Sequence, residues 1–94
     1  MQTVSLLVLT SPGCTHCKSF LEFWEAKKGE WRNVTVREIS ALTEEGQELA
    51  REHLIFASPG IILNNELFAS GGYDEEQFIE KLKKLSQEGA KGIS

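Results

Sequence analysis

A run of mostly apolar residues near the start of the chain limits the choice of fold more than any other feature. In Val4-Ser5-Leu6-Leu7-Val8-Leu9 the last four residues are apolar at consecutive positions, as expected for a strand that is covered on both faces. We predict this strand over roughly residues 2–9, and the stretch Ser11-Pro12-Gly13 ends it. A strand covered on both faces favours an α/β architecture with helices on each side of a sheet.

The only two cysteines of the chain follow this strand directly, in Cys14-Thr15-His16-Cys17. A helical pattern begins there, since apolar residues recur at the spacing of a helix that buries one face: Cys17, Phe20, Leu21 and Trp24. The first cysteine is then at a helix N-terminus, where unpaired N–H groups and the positive end of the dipole favour a thiolate. The second is one turn further on the same face, within reach of a disulfide. The motif therefore predicts a two-electron thiol–disulfide switch.

The next segments continue an alternation of helices and strands. Lys27-Lys28-Gly29 supplies a basic last turn and a C-terminal glycine for the first helix. Val34-Thr35-Val36-Arg37-Glu38-Ile39 alternates and is β-branched, which predicts a second strand parallel to the first. A second helix follows, with Ser40 or Thr43 as its cap and Leu49, Ala50 and His53 on its inner side.

The C-terminal part predicts a β-hairpin and a last helix. Residues 60–70 form the hairpin around Asn64-Asn65, because asparagine tolerates the positive φ of a two-residue turn. Asp74 with Gln77 resembles a capping box, and the apolar stripe behind it consists of Phe78, Ile79, Leu82 and Leu85.

The resulting order is β-α-β-α-β-β-α, in an α/β domain with a four-stranded mixed sheet flanked by three helices. We expect the parallel strand pair at the centre of the sheet. A single domain is predicted over residues 1–86, with a frayed tail over residues 87–94.

This order of elements resembles the thioredoxin fold. The length and the early first strand are most similar to glutaredoxins and small glutaredoxin-like thioredoxins. Three separated landmarks carry the resemblance: the cysteine pair, Ser58-Pro59 before the hairpin, and Gly71-Gly72-Tyr73-Asp74 before the last helix. The resemblance implies a cis Pro59 that faces the cysteines and a Ser58 backbone that pairs with an extended substrate.

The third landmark implies a ligand site. In glutaredoxins a similar Gly-Gly turn and acidic cap hold glutathione, so the resemblance implies that Gly71, Gly72 and Asp74 bind the carboxylate of such a ligand. The alternative interpretation is a turn and a helix cap with no ligand. Tyr73 is expected to border the cysteine site through the same loop.

The chain also departs from the typical members of both subgroups. The dipeptide between the cysteines is Thr15-His16, and Gly13 stands where thioredoxins carry tryptophan. Val8 stands where a typical thioredoxin has a buried aspartate that assists proton transfer. The lysine that glutaredoxins often place before the first cysteine is missing from Thr10-Ser11-Pro12.

The expected chemistry divides between three residues. Cys14 attacks a substrate disulfide, and Cys17 resolves the mixed disulfide that forms. His16 stabilises the Cys14 thiolate, which stabilises the reduced form and makes the pair a better oxidant. Protein disulfide isomerases also carry histidine in this position; the alternative interpretation is a solvated surface histidine.

The cysteine motif is also compatible with two other functions. A metal or iron–sulfur carrier would take two cysteines from each of two chains, and a binding module would leave the thiols unused. For the leading hypothesis we expect no metal and no bound cofactor, with glutathione as a candidate co-substrate. We expect a disulfide-containing protein or small molecule as substrate, and glutathione or a thioredoxin reductase-type protein as reductant.

Charge and hydropathy exclude several partners. The net charge is −4 without a long basic run, so nucleic acid is not an expected partner. No apolar segment has the length of a membrane span, and the first residues lack the positive region of a signal peptide. These features favour a cytoplasmic location. We also expect the protein to be a monomer.

Overall fold

The computed structural model describes residues 3–91, and the side chains of residues 3–87. The predicted order of elements and the α/β class are confirmed. The strands are β1 (Val4–Thr10), β2 (Val34–Ser40), β3 (Gly60–Leu63) and β4 (Glu66–Ser70); the helices are α1 (Thr15–Lys27), α2 (Glu44–His53) and α3 (Glu75–Lys91), and a 3-10 turn spans Lys28–Glu30.

The four strands form one mixed sheet in the order β2-β1-β3-β4. Strand β1 is parallel to β2 and antiparallel to β3, and β3 is antiparallel to β4. The prediction that the parallel pair is central was wrong, because the hairpin pairs with the free edge of β1 and leaves β2 at the edge. The exposed side chains of residues 35–38 agree with an edge position.

Strand β1 contributes to two separate cores. Val4, Leu6 and Val8 pack with residues of α1 and α3, whereas Leu7 and Leu9 pack on the side of α2. The consecutive apolar residues of this strand are therefore explained by helices on both faces of the sheet.

An aromatic cluster joins α1 to α3 and the sheet. The fully buried ring of Phe78 meets four other rings edge-on, with centroids 5.2 to 6.1 Å apart. These rings belong to Phe20, Phe23, Trp24 and Phe68. Edge-to-face pairs of this kind add to the stability that burial provides, so the cluster holds α1 in a defined position on the sheet.

The predicted caps and turn are present. Thr43 Oγ1 accepts a hydrogen bond from the Gly46 N–H at 3.0 Å, and Asp74 Oδ1 accepts one from the Gln77 N–H at 2.9 Å. Asn64 and Asn65 have φ values of 49° and 67°, which is the conformation that a tight hairpin turn requires.

Helix α1 ends at Lys27 with the predicted basic last turn, and Gly29 follows within the 3-10 turn without a positive φ. Helix α3 continues past Ser86 to Lys91, because nothing in residues 87–91 breaks a helix as proline would. Residues 92–94 of the predicted tail lie outside the described residues.

Leu54 provides a test of the end of α2. It has φ 56° and ψ 48°, and 67% of its surface is exposed. A side chain in this left-handed conformation costs about 1–2 kcal/mol, and glycine avoids that cost. After allowance for the greater freedom of glycine in the unfolded chain, Leu54→Gly is expected to raise the free energy of unfolding by about 0.5–1 kcal/mol. Urea denaturation followed by circular dichroism measures the change.

Leu42→Gly is the matched control for this prediction, because Leu42 is equally exposed but lacks a positive φ. This variant is expected to be no more stable than the parent. Equal stabilisation by both substitutions would show that removal of an exposed leucine, and not the backbone conformation, is responsible.

Candidate active site

Cys14 and Cys17 form a disulfide at the N-terminus of α1, with their Cα atoms 5.3 Å apart. Cys14 caps the helix, and its Sγ accepts a hydrogen bond from the Cys17 N–H at 3.1 Å. The same N–H and the positive end of the helix dipole are placed to favour a negative charge at this sulfur.

The two cysteines differ in access to solvent. Cys14 is half-buried, whereas only 4% of Cys17 is exposed on the buried stripe of α1. An incoming disulfide therefore reaches Cys14 before Cys17.

The loop before β3, which contains Ser58 and Pro59, lies against the loop between β1 and α1, which leads to Cys14. The Ser58–Pro59 peptide bond is cis, as the resemblance implied. Ser58 Oγ lies 2.6 Å from Ser11 Oγ, and Ser11 precedes Cys14 by one tight turn. Sequence reasoning missed this contact, since nothing local pairs residues so far apart in the chain.

The Gly71-Gly72 segment is mostly occupied by internal hydrogen bonds. The Gly71 N–H donates to the Pro59 carbonyl at 3.0 Å, and the Asp74 carboxylate caps α3. Among residues 3–91, only the Gly72 N–H of this glycine pair has no partner. The segment thus holds the loops together and retains few donors for a bound carboxylate.

A groove of about 670 Å³ runs from the cysteine motif to the start of α3. His16 and Tyr73 lie on it beside three carboxylates, and the lining consists of His16, Ser19, Gly72, Tyr73, Asp74, Glu75 and Glu76. The Tyr73 hydroxyl lies 2.8 Å from Ser19 Oγ, and its ring packs edge-on against Phe20. Tyr73 therefore borders the site as expected, in acidic surroundings.

A second groove, of about 470 Å³, lies beside Cys17. Its polar lining includes Lys18, Glu22 and Glu25 of α1 and Glu38 of β2. Sequence reasoning did not select Glu38, because its approach to Cys17 depends on how β2 pairs with β1. The buried Val8 offers no acid at this place.

Residues 3–91 contain neither a cluster of metal-ligating side chains nor a membrane-spanning helix. No group of three or more His, Cys, Asp and Glu side chains in that range is placed to hold a metal ion. In the same range no helix is both long and apolar enough to cross a bilayer. His53, which was predicted to lie on the inner side of the second helix, is half-buried on α2.

Comparison with known proteins identifies the fold. No family model matches the chain. A thioredoxin from Thermus thermophilus superposes with a TM-score of 0.66 at 25% identity, over 96% of this chain and 79% of that one. The oxidised mitochondrial thioredoxin 3 from Saccharomyces cerevisiae superposes with a TM-score of 0.70 at 16% identity, over 90% of this chain and 81% of that one. The chain is a thioredoxin-fold protein.

The first two thioredoxin domains of Saccharomyces cerevisiae Eps1p share the same fold. They superpose with a TM-score of 0.61 at 25% identity over 92% of this chain. The chain spans only about a third of that structure and of the corresponding Naumovozyma dairenensis Eps1p structure, at 36% and 35%. The thioredoxin fold and the close cysteine pair together fit a redox role for this chain.

His16 can be tested as a stabiliser of the thiolate. His16 is exposed two residues after Cys14, and replacement by leucine removes the hydrogen-bond donor and the positive charge that an imidazole supplies there. In His16→Leu the pKa of the Cys14 thiol is expected to rise, and the thiolate fraction at neutral pH to fall about threefold or more. Ultraviolet titration of the thiolate in the reduced protein measures this fraction.

His53→Leu is the control, since the chain has two histidines and this one lies on α2. It is expected to leave the thiolate titration unchanged. An unchanged titration in His16→Leu would remove His16 from the mechanism.

Proposed function

We propose that this chain is a dithiol–disulfide oxidoreductase in which Cys14 is the nucleophile and Cys17 is the resolving cysteine. The observation that carries the proposal is the position of the pair: Cys14 caps α1 at the surface, and Cys17 is buried one turn further on. The helix N-terminus favours a thiolate at the accessible sulfur, and only a thiolate attacks a disulfide.

The reaction proceeds through a mixed disulfide. The Cys14 thiolate attacks one sulfur of the substrate, the substrate S–S bond breaks, and the released sulfur takes a proton. Cys17 then attacks the Cys14 sulfur and releases the second substrate thiol. Two electrons pass to the substrate, and the Cys14–Cys17 disulfide forms. A dithiol reductant, or two monothiols such as glutathione, returns the pair to the reduced state.

The surroundings of the disulfide support a peptide segment as substrate. The Phe56 side chain is 89% exposed, two residues before Ser58. It borders an apolar pocket of about 300 Å³ that extends to Ser11 and consists of Leu9, Ser11, Ala41, Ala50, Ile55, Phe56, Ala57 and Ser58. An extended segment beside Ser58 would place an apolar side chain in this pocket, so we propose protein disulfides as the substrate class.

The same surroundings support a protein reductant over glutathione. Glutathione carries a net negative charge, and the groove at the start of α3 contains Asp74, Glu75 and Glu76. The Gly71 N–H is already used by Pro59. We therefore propose regeneration by a reductase-type dithiol protein in a reducing compartment such as the cytoplasm. The metal carrier remains the alternative function for the same cysteine pair, and metal analysis of the purified protein distinguishes it from the oxidoreductase.

The assigned roles predict different behaviour for the two cysteine variants. In a dithiothreitol-dependent insulin reduction assay, the parent protein is expected to accelerate precipitation, and Cys14→Ser to fall to the uncatalysed rate. Cys17→Ser is expected to form a stable mixed disulfide with insulin, visible on a non-reducing gel, which Cys14→Ser cannot form. A parent rate equal to that of Cys14→Ser would support the binding-module interpretation instead.

Phe56 is expected to determine affinity for peptide substrates. Burial of a phenyl group contributes about 1.5–3 kcal/mol, so Phe56→Ser should raise the KM for a peptide disulfide with apolar flanks by about tenfold or more. The rate with a small aromatic disulfide should not change. Leu67→Ser is the control, because Leu67 is also partly exposed but lies on β4 outside this pocket. An equal effect of both variants would contradict a specific role of Phe56.

A further inference from the structure

The resolving step requires that a buried thiol lose its proton. Only 4% of Cys17 is exposed, and burial in apolar surroundings raises the pKa of a thiol. The attacking species is nevertheless the thiolate. An acceptor beside Cys17 would solve this problem, and the groove of about 470 Å³ next to this residue contains carboxylates.

We propose that Glu38 accepts the proton of Cys17 when Cys17 resolves the mixed disulfide, an assignment that rests on the function proposed above. The position of Glu38 in the sheet supports this choice. Glu38 is the register partner of Val8, and neighbours in register on parallel strands direct their side chains to the same face. Val8 packs in the core with α1, so Glu38 lies on the face where α1 and Cys17 lie.

Arg37, the residue before Glu38, identifies the face of the sheet that α2 covers. Arg37 points to the opposite face, where its guanidinium pairs with Glu45 of α2 through two contacts of 3.1 Å. Successive side chains of a strand alternate between faces. Glu38 therefore cannot share the α2 side with Arg37.

The other charged groups of this groove are less well placed than Glu38. Lys18, Glu22 and Glu25 all belong to α1, as does Cys17. Glu22 is five residues after Cys17, which puts it well around the helix from the buried stripe. Glu25 is engaged with Lys28 at 2.8 Å. Glu38 alone among these carboxylates comes from the sheet, toward which the buried stripe of α1 is directed.

In the proposed step, proton transfer from Cys17 precedes formation of the new S–S bond. The Cys17 S–H proton passes to the Glu38 carboxylate, directly or through one water molecule. The Cys17 sulfur then bonds to the Cys14 sulfur, and the bond between Cys14 and the substrate sulfur breaks with its electron pair on the leaving sulfur. The Glu38 carboxylic acid returns the proton to that thiolate or to solvent.

Stopped-flow reaction of the reduced protein with dithiobis-nitrobenzoate separates the two cysteines. Attack by Cys14 releases a first coloured thiolate, and resolution by Cys17 releases a second. The leaving thiolate needs no proton, so the second phase reports on the loss of the Cys17 proton. In Glu38→Gln the second phase at neutral pH is expected to be about tenfold slower or more, with the first phase unchanged. The difference should vanish at alkaline pH, where Cys17 ionises without an acceptor, and Glu38→Asp should restore part of the rate.

The direction of the effect distinguishes proton transfer from simple repulsion. A carboxylate that only repelled the thiolate would make Glu38→Gln faster in the second phase. Glu22→Gln, which removes the same charge from the same groove, is the matched control and should leave both phases unchanged. A second phase in Glu38→Gln that is as fast as in the parent or faster, or an equal slowing in Glu22→Gln, would overturn the role of Glu38. Absence of either phase in the parent protein would overturn the proposed function itself.

Discussion

Strand β1 is hydrogen-bonded on both edges and covered on both faces, and the remaining elements are arranged around it. Its pairing with β2 and β3 sets the plane of the sheet. Its alternate side chains build one core with α1 and α3 and another with α2. Because β1 is held in this way, its C-terminal end has a defined position. The turn after Thr10 therefore places Cys14 at a fixed point beside that end of the strand. The position of the cysteine pair thus depends on packing that is remote from the sulfur atoms.

Three loops converge on that point because the registers of the sheet bring their ends together. Leu9 is opposite Gly60, and Gly60 is opposite Ser70, so the ends of β1 and β4 flank the start of β3. Hydrogen bonds between the loops complete the arrangement, from Gly71 to Pro59 and between Ser11 and Ser58. The Gly71 N–H and the hydroxyls of Ser11 and Ser58 are thus engaged within the protein. On the proposed function, selectivity toward substrates depends on side chains that point outward, among which Phe56 and the carboxylates at the start of α3 differ most in character.

Local patterns predicted the local structure well. The strand before the cysteines, the hairpin at Asn64-Asn65 and the caps at Thr43 and Asp74 follow from steric and hydrogen-bonding preferences that act within a few residues. The position of β2 at the edge could not be predicted in this way, because it depends on which side of β1 the hairpin joins. The contact between Ser11 and Ser58 and the approach of Glu38 to the Cys17 groove have the same origin. Both require the pairing of strands that are far apart in sequence. The fold and the cysteine pair were therefore predictable, but the residues that surround the pair were not.

An apolar residue at Val8 and an acid at Glu38 suit the places that these two residues occupy in the sheet. A carboxylate at Val8 would be buried under α1, where a charge is costly unless it is paired. Valine fills that place and contributes to the core with Phe20 and Ile61. The acid stands instead on the neighbouring edge strand, where Glu38 is exposed and its charge remains hydrated. The edge position of β2 thus leaves β1 to serve packing, and it brings a solvated carboxylate to the groove that Cys17 also lines.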